Sequence, residues 1–213
     1  MDNPFFKNNG PFKFSDILKV LGHEIDQNNE DQNIIDIKDL QNSKSNEITF
    51  FHSKKYKTAA NDTKASFCIT TKNLQNELPK SCIPIIVDNV LVSTSMITAK
   101  FYPDSINDNF DVTIEEINNT KFIDIVKSGK NVLIGKNVSI GLNCMIGHNT
   151  IIEKNVIIGN NCSIGSNTII RNSLIKNNVR ILDSCVIGKH GFGFFPNKNQ
   201  NLRYPHMGIV LIE

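Results

Sequence analysis

A period of six residues, repeated from Ile134 to Ile170, constrains this chain more than any other feature of its sequence. An isoleucine opens each six-residue unit, here termed a hexad, and an asparagine stands three residues after each of the first six openers. The openers are Ile134, Ile140, Ile146, Ile152, Ile158, Ile164 and Ile170. Six is a multiple of the strand period of two and does not match the helical period of 3.6. The hexads therefore predict short β-strands joined by bends.

Three hexads make one coil of roughly 18 residues, and stacked coils bury columns of isoleucine in parallel ladders about 4.8 Å apart. The opener and the residue four positions after it are expected to point inward. Glycine and asparagine tolerate the positive φ values that we expect at the corners of a coil. One residue is missing from the count between Ile170 and Ile175. The coils are therefore expected to narrow or kink around residues 172–174 and then to continue.

Composition excludes several classes of protein. The 213 residues are 39% hydrophobic and 21% charged, and the net charge of +2 gives no argument for a nucleic-acid partner. No apolar run approaches the roughly 20 residues of a membrane span, and the first residues lack an apolar leader, so a cytoplasmic protein is predicted. The five cysteines form no Cys-x-x-Cys pair and are odd in number, which argues against a zinc site and against a disulfide framework.

The first half of the chain has no hexads and is predicted to form a separate α/β domain, residues 1–103. Ser15 is placed as the N-cap of a helix at 16–21 that Gly22 ends, and a second helix is predicted at 90–101, before Pro103. Strands are predicted at 34–37, 48–51, 66–70 and 83–87. The polar stretch 104–120 is the predicted linker, and residues 121–213 form the coils, with a loop excursion at 189–208.

Three short runs point to a particular family. They are Ile-Thr-Phe-Phe-His-Ser-Lys-Lys-Tyr at 48–56, Phe-Tyr-Pro at 101–103 and Gly-Phe-Gly-Phe at 191–194. Combined with the hexads, they resemble the UDP-3-O-acylglucosamine N-acyltransferases of lipid A biosynthesis, which are hexapeptide-repeat transferases. The resemblance covers nearly the whole chain, although His206 stands where the family has glutamine. It implies an α/β domain followed by a left-handed parallel β-helix.

The resemblance also implies an activity and a binding site. The family moves a 3-hydroxyacyl chain from acyl carrier protein to the 2-amino group of UDP-3-O-acylglucosamine, as a homotrimer and without a cofactor. Its amino-terminal domain holds uracil between two aromatic rings, which here correspond to Phe50 and Tyr56. Ser53 stands where the family has an asparagine that contacts uracil. The predicted uracil-binding residues are therefore Phe50, Ser53 and Tyr56.

No catalytic residue is predicted within this chain. An amine nucleophile arrives as an ammonium ion, so a base must remove a proton before attack, and histidine is the natural candidate. The resemblance places the family's catalytic histidine in a hexad beyond the last residue, Glu213. His148 lies in an early coil and is predicted to be an exposed surface residue. His190 and His206 flank the excursion and are predicted to be loop residues.

The last two residues, Ile212 and Glu213, have the pattern of a new hexad. The sequence is therefore expected to be truncated, with an incomplete β-helix that is inactive as this polypeptide alone. Two alternatives to the N-acyltransferase interpretation stay open. One is a UDP-sugar-binding fragment without catalysis, and the other is a different hexapeptide acyltransferase that uses a coenzyme A donor.

Overall fold

The computed structural model describes residues 3–24, 32–107, 109–197 and 200–213. Its contacts divide the chain into two compact units. The α/β unit comprises residues 7–107 and 192–205, and the coil unit comprises residues 1–6, 108–191 and 206–213. This division groups the first residues with the coils and part of the predicted excursion with the α/β unit. The predicted domain boundaries at 103 and 120 stay predictions.

The α/β unit is built on a four-stranded parallel sheet. Its strands, in sheet order, are Asp36–Ile37, Glu47–Phe51, Phe67–Thr70 and Ile83–Ile86. The predicted strand at 34–37 is divided in two, because its first part, Asn33–Ile34, pairs instead with Phe12–Lys13 in an antiparallel ribbon. Central strands buried on both faces of a parallel sheet are expected to be apolar, and every residue of Phe67–Thr70 is buried.

The helices of this unit are α1 (Phe14–Val20), α2 (Lys57–Asn61) and α3 (Val90–Phe101), with 3₁₀ turns at Lys54–Tyr56, Gln75–Glu77 and Pro103–Ser105. The predicted bounds of α3 are confirmed, and the Asn89 side chain caps it by accepting a hydrogen bond from the N–H of Val92 at 3.1 Å. The predicted Ser15 cap is wrong, because α1 begins at Phe14 and Ser15 lies buried within it. Gly22 follows α1 with a φ of +72°, as its place after the helix predicted.

The part of the excursion that belongs to the α/β unit forms a hairpin. Phe194–Asn197 pairs antiparallel with Gln200–Arg203. The hydroxyl of Ser95, in α3, donates a hydrogen bond to the carbonyl oxygen of Arg203 at 3.3 Å. Phe195 packs edge-on against Tyr204, with ring centroids 5.1 Å apart.

The coil unit carries three sheets, one for each side of a triangular coil. In sheet order, the first contains Ser139–Ile140, Ile157–Ile158, Ser173–Ile175 and Val210–Ile212. The second contains Arg180–Ile181, Ser163–Ile164, Cys144–Ile146 and Val126–Ser128. The third contains Val186–Ile187, Ile169–Ile170, Ile151–Ile152, Leu133–Ile134 and, antiparallel at its edge, Glu115–Glu116. A 3₁₀ turn at Ile117–Asn119 follows this edge strand within the predicted linker.

The distance along the sequence between paired residues agrees with the spacing of the hexads. Ser139 pairs with Ile157, 18 residues later, whereas Ile157 pairs with Leu174, 17 residues later. The hexad that lacks one residue before Ile175 therefore has a shorter corner, and the coils continue after it. The predicted fold class, an α/β domain followed by a parallel β-helix, is confirmed.

The asparagines of the hexads form the corners of the coils. Nine of them, from Asn131 to Asn178, have φ values between +47° and +65°, as predicted. Their amides also stack between coils: Asn131 donates to Asn149 at 3.0 Å, and Asn149 donates to Asn167 at 3.3 Å. Each amide ladder runs parallel to the stacking direction and links one coil to the next.

The glycines of the hexads serve another purpose than the one predicted. Positive φ is found at Gly22 and Gly188, and not at hexad glycines such as Gly147. A Cβ added at Gly147 would lie 2.4 Å from the backbone nitrogen of Ser166 in the next coil. Hexad glycines are therefore required because the backbone of the following coil passes too close for a side chain.

Candidate functional site

The candidate site lies where the second strand of the parallel sheet ends. Phe50 and Phe51 point to opposite faces of that strand, so Phe51 is fully buried while Phe50 is partly exposed. The chain then turns through Lys54–Tyr56, and Ser53 is the N-cap of this turn, accepting a hydrogen bond from the N–H of Lys55 at 3.4 Å. The turn returns Tyr56 toward the strand end that carries Phe50.

Phe50 and Tyr56 line one cavity of about 280 Å³, here termed the aromatic pocket. The residues that line it are Asp39, Leu40, Gln41, Phe50, His52, Tyr56 and Ala59. The structure therefore brings together two of the three predicted uracil-binding residues. Ser53 is not among the described lining residues, since its hydroxyl is directed to the cap of the turn.

His52 lies against both predicted rings. Its imidazole centroid is 6.4 Å from that of Phe50, with an interplanar angle of 24°, and 5.4 Å from that of Tyr56, with an angle of 49°. The sequence places His52 two residues after Phe50, so the strand period directs both side chains to the same face. That spacing is the signal by which His52 could have been assigned to the pocket from sequence.

The polar rim of the pocket comes from a different connection. Asp39 and Gln41 follow the first strand of the sheet, and the carboxyl ends of parallel strands meet at one edge. Burial acts to raise the pKa of the Asp39 carboxyl, but hydrogen bonds from the side chain and N–H of Asn42 and from the N–H of Gln41 outweigh it and hold the pKa below its usual range. Asp39 is therefore ionised at neutral pH and gives the rim a fixed negative charge.

The floor of the pocket is part of the apolar core. Leu40 lines the pocket and belongs to a buried cluster with Phe51, Cys68 and Cys82, against which Ala59 also packs. Hydrogen bonding with Cys82 and burial among these side chains raise the pKa of the Cys68 thiol far above its usual range. Cys68 is thus a neutral packing residue, and the floor is held in place by the core behind it.

The remaining histidines of interest lie in the coil unit. His148 is exposed, as predicted, and its Nδ1 accepts a hydrogen bond from the N–H of Lys130 at 2.8 Å. The ring centroids of His190 and His206 are 5.8 Å apart, and the ring centroid of Phe6 is also 5.8 Å from that of His190. The Asn3 amide donates to the carbonyl oxygen of Met207 at 2.9 Å. These contacts give the return segment at 206–208 a packing role.

Two negative findings concern only the residues that the structure describes. Within these ranges, no three histidine, cysteine, aspartate or glutamate side chains are grouped so that they could hold a metal ion. None of the helices in the same ranges has the length and apolar character needed to cross a bilayer.

Comparison with known families agrees with the geometry of both units. Residues 31–99 match the profile of UDP-3-O-(3-hydroxymyristoyl) glucosamine N-acyltransferase. Residues 137–172 match the profile of the bacterial transferase hexapeptide, which spans six repeats. The first match includes the whole aromatic pocket, and the second lies within the coils.

Curated relatives give the same result along more of the chain. A UDP-3-O-acylglucosamine N-acyltransferase 2 of Legionella pneumophila is 34% identical over 210 residues, covering 98% of this chain and 61% of the relative. The UDP-3-O-acylglucosamine N-acyltransferase of Acinetobacter baylyi is 34% identical over 92% of this chain and 56% of its own length. That of Rickettsia prowazekii is 35% identical over 100 residues, which are 46% of this chain and 29% of the relative.

The chain thus spans at most about 61% of the length of these three relatives. Within that span, the resemblance drawn from the runs at 48–56 and 191–194 and from the hexads is confirmed. Residues 31–99 of this chain thus form a domain that matches the UDP-3-O-(3-hydroxymyristoyl) glucosamine N-acyltransferase family, and residues 137–172 match bacterial transferase hexapeptide repeats.

Proposed function

We propose that the aromatic pocket binds the uracil of UDP-3-O-acylglucosamine and that this chain takes part in N-acylation of that sugar in lipid A biosynthesis. The observation that carries the proposal is the placement of Phe50 and Tyr56 in one cavity within the segment that matches the acyltransferase family. Two aromatic faces at a partly open cavity suit a flat base, because stacking on aromatic rings contributes about 1 to 3 kcal/mol per base. The substrate class comes from the relatives, which are UDP-3-O-acylglucosamine N-acyltransferases.

Within this proposal, Phe50 and Tyr56 stack on the base, and Ser53 is a polar neighbour at the turn between them. The Ser53 hydroxyl already accepts a hydrogen bond from the N–H of Lys55, and it can still donate its own proton to a base carbonyl. We assign no catalytic residue among those described. His148, His190 and His206 are accordingly given no catalytic role in this proposal.

The acyl donor in this proposal is a 3-hydroxyacyl thioester of acyl carrier protein, as the family resemblance implies. Coenzyme A is the alternative donor. Purified protein is incubated with the acceptor and either thioester of the same acyl chain, and the N-acylated nucleotide sugar is measured by mass spectrometry. Transfer from acyl carrier protein supports the proposal. Transfer from coenzyme A alone overturns the donor assignment.

The uridine site is tested separately by calorimetric titration with UDP. Wild-type protein is expected to bind, and Phe50→Ala and Tyr56→Ala are each expected to weaken binding by about 5- to 150-fold, the equivalent of 1 to 3 kcal/mol. Phe110→Ala is the matched control, because Phe110 is 79% exposed and lies in the coil unit. Binding of UDP without any acyl transfer would favour the alternative of a UDP-sugar-binding protein without catalysis.

We also propose a homotrimer, as the family resemblance implies. The first sheet of the coils supports it, because Ile157, Leu174 and Leu211 align across adjacent strands, and Ile157 and Leu211 are 45% and 53% exposed. An apolar column of this kind suits packing against another copy of the chain. Sedimentation equilibrium decides the point: a mass three times that of the chain is expected, and a monomer at micromolar concentration would contradict it. The cytoplasmic location stays a prediction.

A further inference from the structure

The side chain of His52 lines the cavity that the proposed base would enter, beside both of the rings assigned to that base. Its imidazole is 6.4 Å from Phe50 and nearly parallel to it, and 5.4 Å from Tyr56. Both distances lie within the 4.5–7 Å range of favourable ring contacts. One flat aromatic ring therefore already contacts both of the rings assigned to the base.

The imidazole is held by these ring contacts and by nothing polar that the structure describes. Within the described ranges, neither ring nitrogen of His52 has a hydrogen-bond or ion-pair partner, and the residue is exposed at the surface. Moving the ring into solvent therefore breaks no buried hydrogen bond. This movement of the imidazole breaks only its contacts with the rings of Phe50 and Tyr56 and leaves those rings more exposed.

The pocket would keep its shape when the imidazole leaves. Its floor, Leu40 and Ala59, is fixed by the buried cluster around Phe51. The cavity of about 280 Å³ is open beside His52, so a flat pyrimidine that enters it can replace the imidazole as the ring in contact with Phe50 and Tyr56.

We infer that His52 is an internal competitor for the base: its imidazole contacts both aromatic rings in the empty protein, and these contacts must be given up when a pyrimidine stacks between Phe50 and Tyr56. This inference rests on the proposed uridine site and assigns an affinity-setting residue within it. Removing the competing ring should tighten binding, and a larger, more apolar ring at the same position should weaken it.

The test uses UDP as the probe and the full chain. His52→Ser is expected to bind UDP about three- to tenfold more tightly than wild type, because one or two ring contacts no longer have to be given up. His52→Phe is expected to bind it about three- to tenfold more weakly. His23→Ser, which changes a histidine that does not line the pocket, should leave the affinity unchanged.

A second readout follows the imidazole itself. In the NMR spectrum of the free protein, the His52 ring protons should be displaced by the ring currents of Phe50 and Tyr56. Saturation with UDP should move them toward the positions of an exposed histidine. A purely structural histidine would not respond in this way.

The outcomes separate this inference from the proposed function. Tighter binding by His52→Ser together with weaker binding by His52→Phe supports it. Equal or weaker binding by His52→Ser, with wild-type binding intact, overturns it and leaves the uridine site standing. Failure of wild type and all variants to bind UDP overturns both.

Discussion

The Nδ1 atom of His148 accepts a hydrogen bond from the backbone N–H of Lys130, 2.8 Å away in the preceding coil. The same corner continues through the next coils, because the N–H of His148 donates to Ser166 Oγ at 3.1 Å and the N–H of Ser166 donates to Asp183 Oδ1 at 2.6 Å. Each side chain satisfies an N–H that the parallel strands leave unpaired. His148 is therefore a structural residue of the stack.

We predict that His148→Ala destabilises the coil unit by about 1 kcal/mol, because it leaves the N–H of Lys130 without its partner. His148→Asn is the matched control, since Asn160 Oδ1 accepts from the N–H of Leu142 at 2.8 Å at another corner. Urea unfolding monitored by circular dichroism measures both changes. Equal stability of the alanine and asparagine variants would contradict the assignment.

Gly147→Ala is predicted to destabilise the protein by about 1 to 3 kcal/mol, the usual cost of overpacking. Its Cβ would meet the backbone nitrogen of Ser166 at 2.4 Å, and backbone within the stack cannot move aside easily. The control is Gly193→Ala, whose Cβ would have only an ordinary contact with Tyr204 at 3.6 Å. Thermal unfolding should show a large loss for the first variant and little change for the second.

Asp111 is predicted to stabilise the coil unit in a pH-dependent way. Burial acts to raise the pKa of its carboxyl, but hydrogen bonds from Thr113 and from the N–H of Lys154 outweigh it and lower that pKa below the ordinary 3.8. The unfolded chain therefore binds the proton more readily, so the stabilisation is present above pH 3.8 and is lost as the pH falls through the lowered pKa.

Asp111→Ala should cost about 2 to 3 kcal/mol at pH 7, because charge-assisted hydrogen bonds are lost. The difference from wild type should shrink as the pH is lowered toward 3. Urea unfolding at a series of pH values provides the measurement. A constant difference across that series would show that the carboxylate charge is not the cause.

The contribution of Glu153 to stability should depend on pH in the opposite direction to that of Asp111. Burial raises the pKa of its carboxyl above the ordinary 4.5, although the guanidinium of Arg171, 2.9 Å away, acts to lower it. The folded state therefore holds the proton more readily than the unfolded chain, and the contribution to stability falls as the pH rises from 4.5 through the raised pKa. The two neighbouring carboxylates of the coil unit are thus expected to have opposing pH dependences.

Glu153→Gln removes this titration but keeps the size of the side chain. Its stability relative to wild type should improve as the pH rises from 4 to 7. The net change at pH 7 should stay within about 1 kcal/mol, since the lost pairing with Arg171 offsets the relief. If the free energy of unfolding of the variant instead falls relative to wild type between pH 4 and 7, the surroundings stabilise the carboxylate. The pKa of Glu153 would then be lowered and not raised.

The coils were predictable because one local rule repeats. The openers and asparagines specify inward packing and a positive-φ corner in every hexad, so neither depends on distant sequence. Even the place where one coil is a residue shorter, before Ile175, could be predicted from the spacing of the isoleucines. The role of the hexad glycines could not be predicted, because it depends on the distance to a backbone atom 19 residues away, as at Gly147 and Ser166.

The aromatic pocket was predictable only in part. Phe50 and Tyr56 lie in one short segment, and their pairing came from the family resemblance. Asp39 and Gln41 come from another strand connection, so the order of strands in the sheet has to be known before they can be placed. Ser15 shows the same limit at a helix end, because tertiary packing buries it inside α1 instead of leaving it as a cap.

The pairing between Ser173 and Val210 shows how much freedom this architecture gives the chain. Those residues are 37 apart, yet they pair in the same way as residues 17 or 18 apart elsewhere in the coils. The stack thus imposes the position at which the chain re-enters a coil and leaves the intervening length unspecified. The corner after Gly188 is accordingly an insertion point, where a segment of foreign sequence could be grafted without altering the strands on either side.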